Sequence, residues 1–281
     1  MQTFITTIMT ACVALLLPMT TLHAQEAMSA RPTDPEPEPV SYAPATPLLW
    51  LGVGGGLQLS MHSASNMTLP QAPTCCSGYD GTSKAGIAFG IEGGLPVGTN
   101  LSILARLSFA PSGATMRKDE ATTVRVGSQA VTTALRHTLV TSMTALMLEP
   151  AVEYRINSRF GLMGGLRLGT LTGVTYDQKE ELADPTLPYD YGTGGSTFNA
   201  SSGDVKDVNA LQFGIVVGAR YWMSLNAMGT LALVPEVTYA PMFTDVAKNV
   251  PWSVSAFRAG ISVLYTIMTT PGNSDPLRPG R

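Results

Sequence analysis

Charge is scarce in this sequence. Asp, Glu, Lys and Arg make up 13% of its 281 residues, against a hydrophobic fraction of 44%. A water-bathed domain carries about 25% charged residues, so this chain either hides most of its surface or faces something other than water. A basic excess is also missing. The 17 Lys and Arg stand against 20 Asp and Glu, for a formal net charge of -3, which excludes a surface built to hold phosphate backbones and with it a nucleic-acid partner. No apolar run approaches the ~18–20 residues of a membrane-spanning helix. Cysteine is rare, at three residues. Zinc wants four ligands; Cys75 and Cys76 sit side by side with His62 as the nearest histidine, so no metal site is expected.

The N-terminus supplies the compartment. "ACVALLL" (11–17) is a short apolar core, and "LHA" precedes a cleavage point after Ala24. That is the pattern of an export signal, although no Lys or Arg precedes the core. Cys12 stands before the apolar core, where a lipoprotein cysteine would follow it, and is read as part of the discarded signal over 1–24. Cys75 and Cys76 then enter an oxidising compartment, where free thiols do not persist. Neighbouring Cα atoms are ~3.8 Å apart, closer than ordinary disulfide geometry prefers. They are therefore expected to form a loop clip whose pairing stays open.

The stretch 25–46 contains "RPTDPEPEPVSYAPAT", Pro-rich and acidic, and reads as an extended periplasmic linker. The tail "TTPGNSDPLRPGR" (269–281) is disordered by composition. Between them, period-two alternation recurs in eight windows: 49–60, 86–95, 101–110, 146–156, 162–176, 211–222, 231–240 and 253–267. In the third, Leu101, Ile103, Leu107 and Phe109 alternate with Ser102, Arg106 and Ser108. Three connections are short, "PVGTN", "NSRF" and "SLNAMG"; those between are longer and more polar, chiefly 62–84, the region after Pro111, and 177–208. The alternation through 113–140 predicts that the third and fourth strands continue past the membrane as a ribbon. The whole reads as a closed eight-stranded antiparallel transmembrane β-barrel over 47–268, with short periplasmic turns and long extracellular loops.

The less apolar face supports a lumen over a water-bathed sheet. It carries glycine, hydroxyls and single charges, which suit the cramped interior of an eight-stranded barrel. Glu92 and Arg106 are equidistant from residue 99, Glu149 and Arg167 from 158, and Arg220 and Glu236 from 228. Each of three hairpins thus sets a Glu across from an Arg above its turn, and Arg258 sits at a comparable depth in the last strand. On a lipid face each Arg would cost ~2–4 kcal/mol near the midplane; paired inside a closed barrel, opposite charges offset much of their desolvation. The alternative is three cross-strand pairs on an exposed sheet, worth at most ~1 kcal/mol each. Tyr154, Tyr221 and Tyr265 at one end, and Phe109, Tyr176, Tyr239 and Phe257 at the other, fall on the apolar parity, as two interfacial belts require.

"RAGISVLY" (258–265) resembles the terminal-strand assembly signal of bacterial outer membrane barrels: polar Arg258, then Gly260, then the spaced apolar residues Val263 and Tyr265. More broadly, 47–268 resembles the OmpA/OmpX-type eight-stranded barrels of the outer membrane protein beta-barrel domain family, through "PTCCSGYDG", "LEPAVEYR", "YDQKEEL" and "LVPEVTYA". The resemblance implies the outer membrane as location, outer-membrane lipids and lipopolysaccharide as surroundings, and the barrel assembly machinery as partner. Many members append a peptidoglycan-binding domain; the 269–281 tail leaves no such domain to expect here.

Catalysis is not expected. His62 and His137 fall near the outer ends of strands, with Ser60, Ser63, Asp80 and Asp119 as conceivable partners, but no spacing compels a triad, and exposed loop residues are the simpler reading. Glu180, Glu181, Asp184, Asp190, Asp204 and Asp207 read as a solvated acidic loop, without EF-hand spacing. "GVGGG" (52–56) lacks the Lys-Ser/Thr of a phosphate loop, so no cofactor is expected. The expected role is non-enzymatic: envelope integrity, adhesion or ligand contact through the loops. A lipid-modifying enzyme and a narrow gated pore are the alternatives.

Overall fold

The structure is a computed structural model that describes residues 46–73, 78–188 and 197–269. The signal sequence, the linker up to residue 45, Cys75, Cys76, Asp190 and the tail from residue 270 lie outside the described residues. The described chain forms strands β1 (Pro47–Ser63), β2 (Thr82–Pro96), β3 (Leu101–Pro111), β4 (Ala114–Val126), β5 (Gln129–Arg155), β6 (Phe160–Leu182), β7 (Thr197–Asp204), β8 (Gln212–Tyr221), β9 (Met223–Ser224), β10 (Leu231–Ala240) and β11 (Ser253–Met268).

Eight of these close a ring in the order β5–β3–β2–β1–β11–β10–β8–β6, sealed by the β5–β6 ladder, all antiparallel. Carried once around the ring, the registers bring Trp50 back to β1 at Ser60, a stagger of ten residues. Such a stagger tilts the strands by about 40° and leaves an interior that side chains fill. Closure joins the first and last strands: Gln58 lies beside Arg258 and Val53 beside Val263. Below them, the Thr46 backbone N–H donates to Thr269 Oγ1 at 3.0 Å.

The strand pleat sorts the residues. Leu51, Val53 and Leu57 of β1, Ile87, Phe89 and Ile91 of β2, and Ile261, Val263 and Tyr265 of β11 all point outward and are exposed. Ile87, at 67% exposure, is typical of a band that a water-soluble protein would bury. On β11, Tyr265 and Phe257 bound this band eight residues apart. At the strand tilt that spans about 20 Å, close to the height of a lipid-facing band. The chain is a membrane-spanning β-barrel.

Above the membrane the wall continues on one side. β4 pairs with the first half of β5, through a hairpin turned at Gly127 (φ 62), and β7 pairs with the end of β6. The result is a four-stranded sheet, β4–β5–β6–β7, rising from the barrel rim. The ribbon at 113–140 is as the alternation predicts. The β6–β7 hairpin is not: 177–208 reads as loop, because the inward positions of the β6 extension are the polar Gln178 and Glu180 and leave no apolar alternation.

A second departure concerns Tyr176, assigned to the outer aromatic belt. It is buried at 5% exposure inside the barrel mouth. The cause is a β-bulge: the β5–β6 register shifts between Ser142 and Thr144, and Gly173 takes a left-handed φ of 59°. The extra residue inverts the facing of β6 above it. Below the bulge Met163, Arg167 and Leu171 point inward; above it Val174, Tyr176, Gln178 and Glu180 do.

Candidate functional site

The barrel interior is filled in three layers. At the end of the barrel that carries the short turns, Trp50 meets Trp222 edge-on with ring centroids 5.7 Å apart, and Leu104, Ala151, Met163 and Leu264 pack within the same buried cluster. The Trp50 ring lies against the backbone of β2 where Gly94 has no side chain: a Cβ there would come within 2.2 Å of the ring. Trp222 Nε1 donates to Glu153 Oε1 at 2.5 Å, and the Arg155 guanidinium stacks 3.9 Å above the Trp222 ring.

The middle layer holds the charges. Glu92, Arg106, Glu149, Arg167, Arg220, Glu236 and Arg258 all point into the lumen and are buried. Across single hairpins, Arg106 Nη2 reaches Glu92 Oε2 at 2.9 Å, Arg167 Nη1 reaches Glu149 Oε1 at 3.2 Å, and Arg220 Nε reaches Glu236 Oε2 at 3.4 Å. The structure adds pairs that span the barrel. Arg220 Nη2 meets Glu92 Oε1 at 2.7 Å, joining β8 to β2, four strands away around the ring. Arg258 Nη2 meets Glu149 Oε2 at 2.8 Å, joining β11 to β5, again four strands away. Arg106 Nη2 pairs with Glu236, joining β3 to β10. Glu153 completes the layer through Arg220 Nη1 at 3.1 Å.

Four buried Arg and four buried Glu thus balance one another in one network, which the part-exposed Arg155 joins at its edge, 3.7 Å from Glu153. Each arginine fork can serve more than one carboxylate, and Arg106 contacts Glu92, Glu149 and Glu236. The cavity beside this layer, lined by Gly54, Gly90, Glu92, Arg106, Glu236 and Arg258, is about 20 Å³, close to the room one water needs. Glu153 shares the lumen parity of Glu149 in the sequence, but no hairpin places an Arg across from it, so register alone does not find it.

The outer layer is apolar, where long polar loops are expected. Met67, Leu69, Ala72 and Tyr79 of the β1–β2 connection turn down into the mouth against Met116, Leu139 and Met143. Val246, Val250 and Trp252 of the β10–β11 connection join the same cluster. Polar bonds pin this cap. Tyr79 Oη donates to Gln178 Oε1 at 2.9 Å, and Gln178 Nε2 donates to the Pro73 carbonyl at 2.5 Å. Burial, reinforced by nearby Glu180, pushes the Tyr79 phenol well above its ordinary value.

His62 and His137 are buried, not exposed on loops. His62 Nδ1 accepts from Trp252 Nε1 at 3.1 Å, and its ring tilts against that indole. His137 Nδ1 lies 3.0 Å from Glu180 Oε1, while Asn199 Nδ2 donates to Glu180 Oε2 at 2.8 Å. Ser60 Oγ accepts from Gln58 Nε2 at 3.3 Å. Asp119 sits outside, gripped by both forks of Arg136 at 2.9 and 2.8 Å, and that hydrogen bonding holds its carboxyl below its usual range. Ser63 and Asp80 lie at the outer end of β1 and just before β2, where the Asp80 backbone N–H donates to the Arg117 carbonyl at 3.0 Å. The acidic loop is likewise redistributed: Glu180 is buried on β6, Glu181 pairs with Lys179, and Asp204 ends β7. Asp184 caps a turn by accepting from Thr186, which lowers its pKa, and Asp207 sits at a left-handed φ of 52°. Among the described residues there is no group of three or more His, Cys, Asp or Glu arranged to hold a metal ion.

In the stretch 258–265, read in the sequence as an assembly signal, Arg258 and Gly260 face the lumen while Val263 and Tyr265 face outward.

No family model matches the sequence, and no curated protein does. Solved structures of similar fold include the attachment invasion locus protein Ail of Yersinia pestis, at 11% identity over 78% of this chain and 99% of that one, TM-score 0.35. The outer membrane protease OmpT from Escherichia coli aligns at 10% identity over 82% of this chain and 99% of its own, TM-score 0.34. Neisserial surface protein A aligns at 11% identity over 78% and 97%, TM-score 0.31.

Proposed function

We propose that this chain is a non-enzymatic barrel of the bacterial outer membrane whose work is done by its extracellular sheet and loops, in envelope integrity, adhesion or ligand contact. One observation carries the reading: among the described residues an indole pair, an ion-pair layer and an apolar cap pack the lumen while the wall on one side is extended outward. The indole pair, the ion-pair layer and the apolar cap leave about 20 Å³ beside the charges. Among the described residues the four-stranded sheet ends in β4 and β7, and it stands above the lipid band. The terminal strand, with Arg258, Gly260, Val263 and Tyr265, would serve as the insertion signal read by the assembly machinery.

Cells displaying the protein test the reading. Shortening the ribbon by deleting 118–136 should abolish cell-surface contact while leaving the amount of inserted barrel unchanged; equal contact by intact and shortened forms would overturn it. The non-enzymatic part has its own check. Purified protein incubated with lipid A should leave its mass unchanged, and a mass change that disappears in His62→Ala or His137→Ala would defeat it.

A narrow gated pore is the second reading. It is favoured by Arg106 and Arg220, each of which contacts three carboxylates and could exchange partners without exposing a bare charge. Steady single-channel currents in planar bilayers that change in Arg220→Met would favour it over a closed barrel.

A further inference from the structure

One half of the apolar cap is built as a flap. The β10–β11 connection is braced by the β7–β8 connection beside it. The Lys248 backbone N–H donates to the Asp207 carbonyl at 2.9 Å, the Asn209 backbone N–H to the Val246 carbonyl at 2.9 Å, and Asn209 Nδ2 to the Asp245 carbonyl at 2.7 Å. This flap lays Val246, Val250 and Trp252 over the mouth. Its tie to β1 is a single side-chain hydrogen bond: Trp252 Nε1 donates to His62 Nδ1 at 3.1 Å. We propose that His62 is a proton-sensitive latch, which holds the flap shut over the lumen when neutral and releases it to the outside when protonated. The proposal goes beyond the surface-contact reading and does not depend on it.

The direction of that hydrogen bond fixes the chemistry. An indole N–H only donates, so the Nδ1 facing it holds a lone pair and the ring proton sits on Nε2. A second proton, on Nδ1, would set two donors 3.1 Å apart. The bond is then lost and a repulsion takes its place. Water has no room to intervene, because Trp252 is 0% and His62 4% exposed. Nε2 likewise has no hydrogen-bond partner among the described residues. A charge enclosed in this way is costly, and moving the flap is what hydrates it.

The surroundings set the sign. His62 stands three residues above Leu59, whose β11 partner is the belt residue Phe257, so it lies outside the membrane-spanning wall. Burial pulls its pKa down to about 4; the Ser112 carbonyl at the β3–β4 join opposes this without outweighing it, and the charge of Lys84 on β2 adds to it. β11 presents Ser253 and Val254 across from β1, and the flap presents Trp252; none of these titrates. In an open mouth the ring meets water and returns to about 6.5. The closed form therefore binds fewer protons than the open one. Its advantage is complete above about pH 6.5 and is lost as the pH falls toward about 4, so opening should rise about 20-fold between pH 7 and pH 5. His137 is placed differently. Its Nδ1 lies 3.0 Å from Glu180 Oε1, where an added proton makes a charge pair and breaks nothing.

The test is hydrogen exchange at the indole N–H groups of Trp50, Trp222 and Trp252, followed by NMR on the full mature chain in detergent micelles and corrected for the pH dependence of free indole. Trp252→Phe assigns the latch resonance. In the wild type, protection at Trp252 should fall about 20-fold between pH 7 and pH 5, while Trp50 and Trp222, at the far end of the lumen, keep theirs. His62→Gln, whose amide oxygen accepts the same bond and does not titrate, should hold Trp252 protection level. His137→Gln should keep the full fall. Equal Trp252 protection at the two pH values in the wild type would overturn the proposal, with no variant needed. An undiminished fall in His62→Gln would also overturn it, by placing the sensor elsewhere. So would a fall shared by all three indoles, which would mean that the whole barrel loosens. Deletion of 118–136 tests surface contact separately, so either reading can fail alone.

Discussion

Arg220 lies directly across from Glu236 in the β8–β10 ladder, yet its shortest ion pair, at 2.7 Å, is to Glu92 on the far wall of the barrel. A hairpin neighbour is therefore only one of its partners. Arg258–Glu149 and Arg106–Glu236 also cross the lumen, so three struts brace the cylinder across its width. Taking these charges out of water is costly, and only mutual pairing with well-placed hydrogen bonds offsets that cost.

Glu92 and Arg220 should therefore be coupled although β2 and β8 share no hydrogen bond. Removing one member, in Arg220→Met or Glu92→Gln, leaves a buried charge short of a partner and should destabilise the barrel by about 3–5 kcal/mol. A double-mutant cycle on denaturant unfolding from lipid vesicles should give a coupling of about 1–3 kcal/mol. Additive losses would contradict the strut.

Arg106→Glu should weaken the barrel, and adding Glu92→Arg should restore part of the loss by reversing the 2.9 Å pair. Restoration stays partial because Arg106 also contacts Glu149 and Glu236, which the swap leaves facing a new Glu. Unfolding midpoints of the two single variants and the double variant decide this; full restoration or none would contradict it.

Gly94→Leu should drive a side chain into the Trp50 ring and cost about 1–3 kcal/mol through overpacking. Adding Trp50→Ala should relieve part of that cost by opening the space the indole fills. Heat-induced unfolding followed on semi-native gels reads both variants. A Gly94→Leu barrel as stable as wild type would show that the indole does not lie on β2.

Gly173→Val should strain a left-handed position by about 1–2 kcal/mol and press β6 toward an unbulged register. In a single-cysteine assay, Asp177→Cys should react with an impermeant maleimide and Gln178→Cys should not. Adding Gly173→Val should narrow the difference. Equal labelling without the valine would contradict the inversion of β6.

Much of this was legible in the sequence because period two is a rule about neighbours. The windows around Glu92, Arg106, Glu149, Arg167, Arg220 and Glu236 show both the strands and the inward parity, and the short turns set which residues face each other across a hairpin. What crosses the barrel was not legible. That Arg220 meets Glu92 depends on ring closure and on a ten-residue stagger, which no pair of adjacent strands contains. Tyr176 departs from its sequence parity because one bulge residue, Gly173, reverses every position after it. The cap was hidden too: Met67, Leu69 and Trp252 are scattered in connections whose composition is polar, and only the fold gathers them. His62 and His137 read as exposed loop residues in the sequence, but the strands extend past the membrane and bury them.

An outer wall made for lipid around a lumen made of ion pairs is the central feature of this chain. The most direct measurement is refolding of the urea-denatured mature chain into plain buffer and, in parallel, into phospholipid vesicles, followed by circular dichroism and thermal melting. A lipid-facing barrel should give a cooperative, protease-resistant β-structure with vesicles and aggregation without them. A monodisperse, cooperatively melting protein in buffer alone would contradict it.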